Sequence, residues 1–304
     1  SMYLRYSSSV VAPTQCSSPR ASAGLSRLAA SPVPAAPPVR LPSAIWLTRS
    51  AGIAAAAANG LPIGLGSVYA STKAAVTNLA RSFAADLSNE ADVAALAAHL
   101  AQTGDVHALV HVAGGARGTD RVEDGDPADW RWMFEANVLS AQLVTAALLP
   151  LLRSAIGPGG HADTLYVTST AAQTAYPGGA GYNAAKAGEA MLVHALRLEL
   201  NGEPIRVTEI APGMVYTEEF TLNRLGGDRA SAERVYEGVE HPLTASDVAD
   251  VIAYALNAPG HVNLDLVTMR PVAQSAQHLL ARGDLPRAER ERAQYALAQD
   301  FLKA

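Results

Sequence analysis

From Asp86 onward apolar positions fall into two alternating patterns. Residues 108–113, 164–168, 205–210 and 263–269 are short, mostly apolar runs bounded by glycine, proline or polar residues, as buried parallel strands are. Longer stretches with helical spacing lie between them. Asp126-Pro127 opens one that passes through Trp130, Phe134, Val138 and Leu139 to Leu152 and stops at Gly157-Pro158-Gly159-Gly160. A second helix is expected over 182–200, and Thr244-Ala245-Ser246-Asp247 caps a third that runs to Asn257. Strand, helix, strand, repeated, implies an α/β fold with a doubly wound parallel sheet, whose ligands sit at the carboxyl ends of the strands.

The first part of the chain breaks this pattern. Residues 7–43 are rich in Ser, Ala, Pro and Arg and show neither period, as in Ser31-Pro32-Val33-Pro34-Ala35-Ala36-Pro37-Pro38. The first 85 residues hold seven of the 23 cations and none of the 28 acids, so the remainder carries a net charge of about −12. Such a start can be read as an organelle transit peptide, a flexible extension, or an aberrant, recombined amino end, and the last is favoured. Ser1 before Met2 has the look of an expression scar. The domain organisation expected is an extension over 1–43, a catalytic domain over 44–275 whose 44–83 segment is atypical, and a tail over 276–304 with an extra charged helix from 285.

Composition narrows the function. With 49% apolar and 17% charged residues the chain can bury a substantial core. A net charge of −5 argues against nucleic acid as a partner, because neutralising phosphates needs a basic face. The longest apolar run, 51–66, is broken by Asn59 and Pro62 and is shorter than the roughly 20 residues of a membrane span. Cys16 is the single cysteine, which suits a reducing cytoplasm, and the eight histidines form no metal-ligand spacing. A small-molecule substrate remains.

The candidate chemistry centres on Tyr182-Asn183-Ala184-Ala185-Lys186, which sets a phenol and an ammonium four apart on one helix face. An ammonium beside a phenol favours the phenolate and lowers the pKa from about 10, making an acid/base. Alone, that spacing also describes a half-buried ring and a solvated charge. Ser169 ends the preceding strand thirteen residues earlier, where its hydroxyl could bond a substrate oxygen or simply finish the strand. Asn137 lies in Phe134-Glu135-Ala136-Asn137-Val138-Leu139, either for function or as a satisfied bridge between backbone groups. Ala211-Pro212-Gly213-Met214-Val215-Tyr216-Thr217 is a turn that fixes backbone beside a ligand or merely turns.

Together these residues resemble the short-chain dehydrogenase/reductase family, over roughly residues 84–275. Five motifs stand in the family's order: Asp86-Leu87, Ala113-Gly114, Asn137, Ser169 with Tyr182 and Lys186, and Pro212-Gly213 with Thr217. The resemblance implies a single Rossmann-like domain binding NADP or NAD. It makes Tyr182 the general acid or base, Ser169 the residue that orients the carbonyl, Lys186 a partner of both tyrosine and nicotinamide ribose, and Asn137 the support of a proton-relaying water. Asp86 and Leu87 are expected near the adenine; Ala113, Gly114, Pro212 and Gly213 along the cofactor; Val215 and Thr217 near the carboxamide. Where the family usually has Asn-Asn before Ala-Gly, His111-Val112 stands here, so the polar tie is either remade by His111 or lost. The stretch 213–228 and the tail from His261 to Ser275 look like the branch that oxidises 3-hydroxy acids and serine-like amino acids with NADP as tetramers. Residues 214–240 would then be a mobile substrate lid, or else a surface helix pair.

The family's Thr-Gly-x-x-x-Gly-x-Gly phosphate turn is not present. The faint likenesses are Ala21-Ser22-Ala23-Gly24-Leu25-Ser26 and, preferred, Leu47-Thr48-Arg49-Ser50-Ala51-Gly52-Ile53-Ala54 after Ala44-Ile45-Trp46. A rival reading is that residues 67–87 are a partial second copy of the catalytic helix, with Tyr69 and Lys73 in a structural role because position 56 is Ala. The expectation is a cytoplasmic homo-oligomer, dimer or tetramer, that moves a hydride between NAD(P) and a hydroxyl or carbonyl carbon. The alternative is a catalytically silent binding protein of the same fold.

Overall fold

The computed structural model describes residues 85–217 and 219–283, together with the backbone of two strands, β1 (Ala44–Thr48) and β2 (Ala54–Ala58). The expectations for 1–43, for the repeated helix with Tyr69 and Lys73, and for the tail from 284 lie outside the described residues.

Chain order continues with α1 (Glu90–Ala101), β3 (Ala108–His111), α2 (Pro127–Phe134), a π-turn over Glu135–Leu139, α3 (Ser140–Ala155) and β4 (Ala162–Val167). Then come α4 (Ala180–Glu199), β5 (Ile205–Pro212), β6 (Val215–Tyr216), α5 (Phe220–Arg224) and α6 (Arg229–Tyr236). The last are β7 (Leu243–Thr244), α7 (Ala245–Leu256), β8 (Leu266–Met269), β9 (Gln274–Ala276) and β10 (Leu279–Leu280). Caps mark the boundaries: Asn89 accepts from the first-turn N–H groups of α1, Asp126 precedes Pro127 at α2, and Thr244 and Asp247 form a capping box at α7.

The main sheet runs β2-β1-β3-β4-β5-β8, parallel except for β2, which returns antiparallel along the outer side of β1. Side chains of successive strand residues point to opposite faces. Leu109, Tyr166 and Val207 enter one core with Leu96 and Leu100 of α1, Val144, Leu148 and Leu152 of α3, and Val193 of α4. Ala108, Val110, Leu165 and Ile210 enter the other, under Val248, Ile252 and Leu256 of α7. Full burial of each such Leu, Ile or Val contributes about 1.5–3 kcal/mol. The described residues thus form the Rossmann-like domain that the apolar pattern predicts.

Two details differ from expectation. Ala44–Thr48 takes the place of a first strand beside β3, but only five residues separate it from an antiparallel strand. A hairpin therefore stands where a glycine turn would open into a helix. Second, the continuous helix Pro127–Ala155 is long and apolar enough to cross a membrane, whereas the sequence reading found no such stretch. Here its inward face, including Val144, Leu148 and Leu152, is packed in the core of the sheet domain.

An ion pair locks the two layers. Arg206 on β5 binds Asp163 on β4 at 2.7 Å, both buried, and also donates to Leu256 O and Ala258 O at the end of α7. Those carbonyls would otherwise lack partners at the helix end.

Candidate active site

The carboxyl ends of β3, β4 and β5 open into a cavity of about 630 Å³, within the range of small-molecule sites. Gly114, Ser169, Tyr182, Lys186, Pro212, Gly213, Val215 and Thr217 line it, which brings together eight of the positions singled out from sequence. Ala113, Asn137, Asp86 and Leu87 do not line it. Leu87 is buried in the core below the sheet. Asp86 is exposed and accepts from the Ser88 N–H and hydroxyl just before α1.

Asn137 sits behind the cavity wall. The π-turn adds a residue to the helix and turns this side chain inward, as such turns often do at functional sites. Its Nδ2 donates to Gly115 O at 2.9 Å and Met133 O at 2.6 Å, while the Gly115 N–H donates to its Oδ1 at 3.1 Å. The side chain is a clamp on the strand-to-loop turn, matching the satisfied-bridge reading. Gly114, at φ +150°, lies so close that a Cβ would stand 2.5 Å from Asn137 Oδ1 and 3.3 Å from Lys186 Nζ.

His111 remakes the polar tie that the family's asparagine would provide. Its Nε2 lies 3.1 Å from Thr145 Oγ1 on α3, and its ring stacks on Tyr166 with centroids 4.5 Å apart. Burial, with Lys186 nearby, lowers its pKa to about 3, so the ring is neutral.

Ser169 is the cap of a single 3-10 turn, Thr170–Ala172; its Oγ accepts from the Ala171 N–H at 3.0 Å. Tyr182 and Lys186 lie in the first two turns of α4 and are both buried. Lys186 Nζ donates to Val167 O at 3.2 Å and to Glu189 Oε2 at 2.6 Å, leaving a third N–H for a ligand. The sequence argument expects a lowered tyrosine pKa. In the fold, burial raises it, and the pull of Lys186 and the hydrogen bond with Ser169 reduce that rise without reversing it. The spacing of a pair shows its attraction but not the desolvation around it.

The opposite wall comes from the segment expected to be a lid. It is a helix pair, α5 and α6, pinned by β6 pairing with β7, and Phe220 lies 5.7 Å from the Tyr182 ring. The Met214 N–H donates to Gln274 Oε1, which also lies where a Cβ on Gly213 would be, so Gln274 fixes the turn after β5.

Three residues of this site escaped the sequence reading. Arg224, quoted only as part of a resemblance, lines the cavity with its guanidinium carbon 5.7 Å from the centre of the Tyr182 ring. It donates to Gly118 O, Tyr176 OH and Gly178 O, which leaves two of its five N–H groups available. Tyr176 was missed because an isolated tyrosine in a loop carries no spacing signal. Glu189 was missed too, although its position three residues after Lys186 placed it on the same helix face.

A parallel sheet thus gathers a tyrosine, a lysine and a serine in one cavity at its carboxyl edge, an arrangement of the Rossmann-like class. A family profile described as short chain dehydrogenase matches residues 82–224. Uncharacterized oxidoreductase Rv0484c of Mycobacterium tuberculosis is 48% identical over 161 residues, 53% of this chain and 62% of that protein. The NADP-dependent 3-hydroxy acid dehydrogenase YdfG of Shigella flexneri is 33% identical over 191 residues, 62% of this chain and 75% of that protein. Among solved structures, the closed form of serine dehydrogenase complexed with NADP+ superposes with a TM-score of 0.60 at 32% identity, covering 66% of this chain and 79% of that one. The chain belongs to the short-chain dehydrogenase family. It spans about three fifths of the length of the mycobacterial relative.

Proposed function

We propose that the protein is an NADP-dependent oxidoreductase, with NAD as the other candidate cofactor, that interconverts a hydroxyl and a carbonyl on a small 3-hydroxy acid. The observation that carries this is the placement of Tyr182, with Ser169 and Lys186 beside it, in a cavity whose facing wall presents the Arg224 guanidinium.

The residues present fit the nicotinamide-ribose end of such a cofactor. Gly114 keeps open a surface that a Cβ would fill, and Lys186 retains an N–H for a ribose hydroxyl. The Pro212–Gly213 turn, Val215 and Thr217 line the same cavity. The cofactor, when bound, gives or takes the hydride. Tyr182 exchanges the hydroxyl proton, and Ser169 directs its Oγ to the substrate oxygen. Arg224 supplies the acid specificity: with three N–H groups fixed on protein oxygens, the other two are oriented for a carboxylate at little entropic cost. Relatives named for 3-hydroxy acids and for serine support this substrate class.

The same reading takes the protein to be a cytoplasmic homo-oligomer of two or four copies, since Phe134, Met191 and Leu198 expose large apolar surfaces on α2 and α4. Light scattering checks that; a monomer at all concentrations sinks it.

The deciding experiment titrates NADPH and NADH by fluorescence, then follows cofactor oxidation with a short 3-oxo acid and its methyl ester. Expected are micromolar or tighter binding, turnover of the acid, and, in Arg224→Gln, a KM for the acid raised roughly tenfold or more with the ester unchanged. No binding at millimolar cofactor would refute the proposal and favour a silent member of the fold.

A further inference from the structure

Behind the proposed acid/base lies a charged residue that the chemistry above does not use. Glu189 is fully buried on α4, one turn beyond Lys186. Its Oε2 accepts from Lys186 Nζ at 2.6 Å, and its Oε1 is buried with no hydrogen-bond partner. A desolvated carboxylate with one bare oxygen is a poor anion, and protonation relieves it.

The groups around it sharpen the point. From β5 comes Glu209, also buried, which accepts from Thr168 Oγ1 at 2.6 Å and lies 2.9 Å from His194 Nε2 of α4. From β4 comes Tyr166 and from β3 the neutral His111, stacked on it. Lys186 is thus the cation between Tyr182 on the cavity side and two carboxylates behind. Lys186 pulls the Tyr182 phenol down while Glu189 pushes it up. Glu189 itself is raised to about 7, by burial first and then by Glu209, against the pull of Lys186.

We infer that Glu189 and Tyr182 compete for the single ammonium of Lys186, and that this competition sets the pH at which Tyr182 works as a base. Glu189 is therefore a positioning residue acting through Lys186. When it carries a proton the ammonium is left to Tyr182, and the phenolate forms more readily. When it is ionised, a second anion beside Lys186 opposes the phenolate. The proton gained or lost at Glu189 never passes through Tyr182; it changes the charge on the far side of the lysine. The inference rests on Tyr182 being the acid/base, but its consequence is visible without turnover.

The test is Glu189→Gln in the full chain, which keeps the size and an oxygen acceptor for Lys186 while removing the charge. Ultraviolet difference titration against Tyr182→Phe isolates the Tyr182 phenolate among the ten tyrosines. Ionisation should move to lower pH by about one unit or more, as expected from losing a charge several ångströms away in a buried site. The pH profile of kcat/KM for alcohol oxidation should move with it, and Glu189→Asp should restore most of the wild-type position. An ionisation within about 0.3 pH unit of wild type in folded Glu189→Gln overturns the inference. Should that variant not fold, carbon-13 NMR of glutamate carboxyls in the wild-type protein decides: one titrating near neutrality is expected, and none above pH 6 overturns it. A shifted Tyr182 without NAD(P)-linked turnover would refute the proposed activity alone, and turnover with an unshifted Tyr182 would refute this inference alone.

Discussion

Replacing Gly114 by alanine tests how tightly the site is built into the fold. At φ +150° an L-residue is strained, which costs about 1–3 kcal/mol. The added Cβ would stand 2.5 Å from Asn137 Oδ1, which is backed by a buried helix and cannot swing aside freely. Moving the carboxamide breaks its reciprocal pair with Gly115, at about 1 kcal/mol per hydrogen bond and more if a polar atom is left buried without a partner. The total is ~3–5 kcal/mol. At about 2–4 °C per kcal/mol for a domain of this size, the melting temperature should fall by roughly 6–20 °C in a calorimetric or fluorescence melt. Gly157→Ala is the control, because its Cβ meets nothing within 4 Å and its φ is not positive; its shift should stay within about 2 °C. Gly114→Ala matching that control would refute the reasoning that Asn137 clamps this turn. Because the same Cβ lies 3.3 Å from Lys186 Nζ, NADPH affinity should weaken as well.

Tyr182→Phe should lower kcat about 10²- to 10⁴-fold with cofactor affinity little changed; a smaller loss removes Tyr182 from proton transfer. Arg206→Met leaves Asp163 buried with only His161, 3.7 Å away, as an ion-pair partner, so stability should fall by about 3 kcal/mol with the substrate KM unaltered, checked by urea denaturation beside kinetics. The buried pair His111 and Glu189 gives opposing pH effects. His111 has its pKa depressed to about 3, so the unfolded chain binds more protons below 6.5, and its contribution declines as pH falls from there. Glu189 is raised to about 7, so its contribution is complete below about 4.5 and disappears as pH rises through 7. Between about pH 4.5 and 6.5 the two slopes, each approaching 1.4 kcal/mol per pH unit, oppose each other. His111→Asn should therefore make stability fall more steeply with rising pH in that window than in the wild type, and an unchanged slope would contradict the neutral, buried His111.

Much of the architecture was legible before folding because it follows local rules. Apolar runs of strand length and the Thr244 capping box placed β3, β4, β5, β8 and α7 to within a few residues. The carboxyl-end rule for parallel sheets brought Ser169, Tyr182, Lys186 and the Pro212–Gly213 turn to one edge. Order and spacing suffice for residues whose positions are set by the strand or helix that carries them.

What depended on three-dimensional packing was not legible. The three hydrogen bonds that tie Asn137 to backbone groups depend on a π-turn that no local pattern announces. The fall in pKa expected for Tyr182 was drawn from one attractive neighbour, whereas burial and Glu189, across the same lysine, push the other way. Arg224 comes from a helix over forty residues downstream, so no local pattern could pair it with Tyr182. The amino-acid sequence by itself determined the order of elements and the placing of Tyr182 and Lys186 on one helix face, because period, caps and spacing are local properties. Only the tertiary structure decided what that pair faces, how dry it is, and which distant charges share it, because desolvation and electrostatics depend on every element packed around a group.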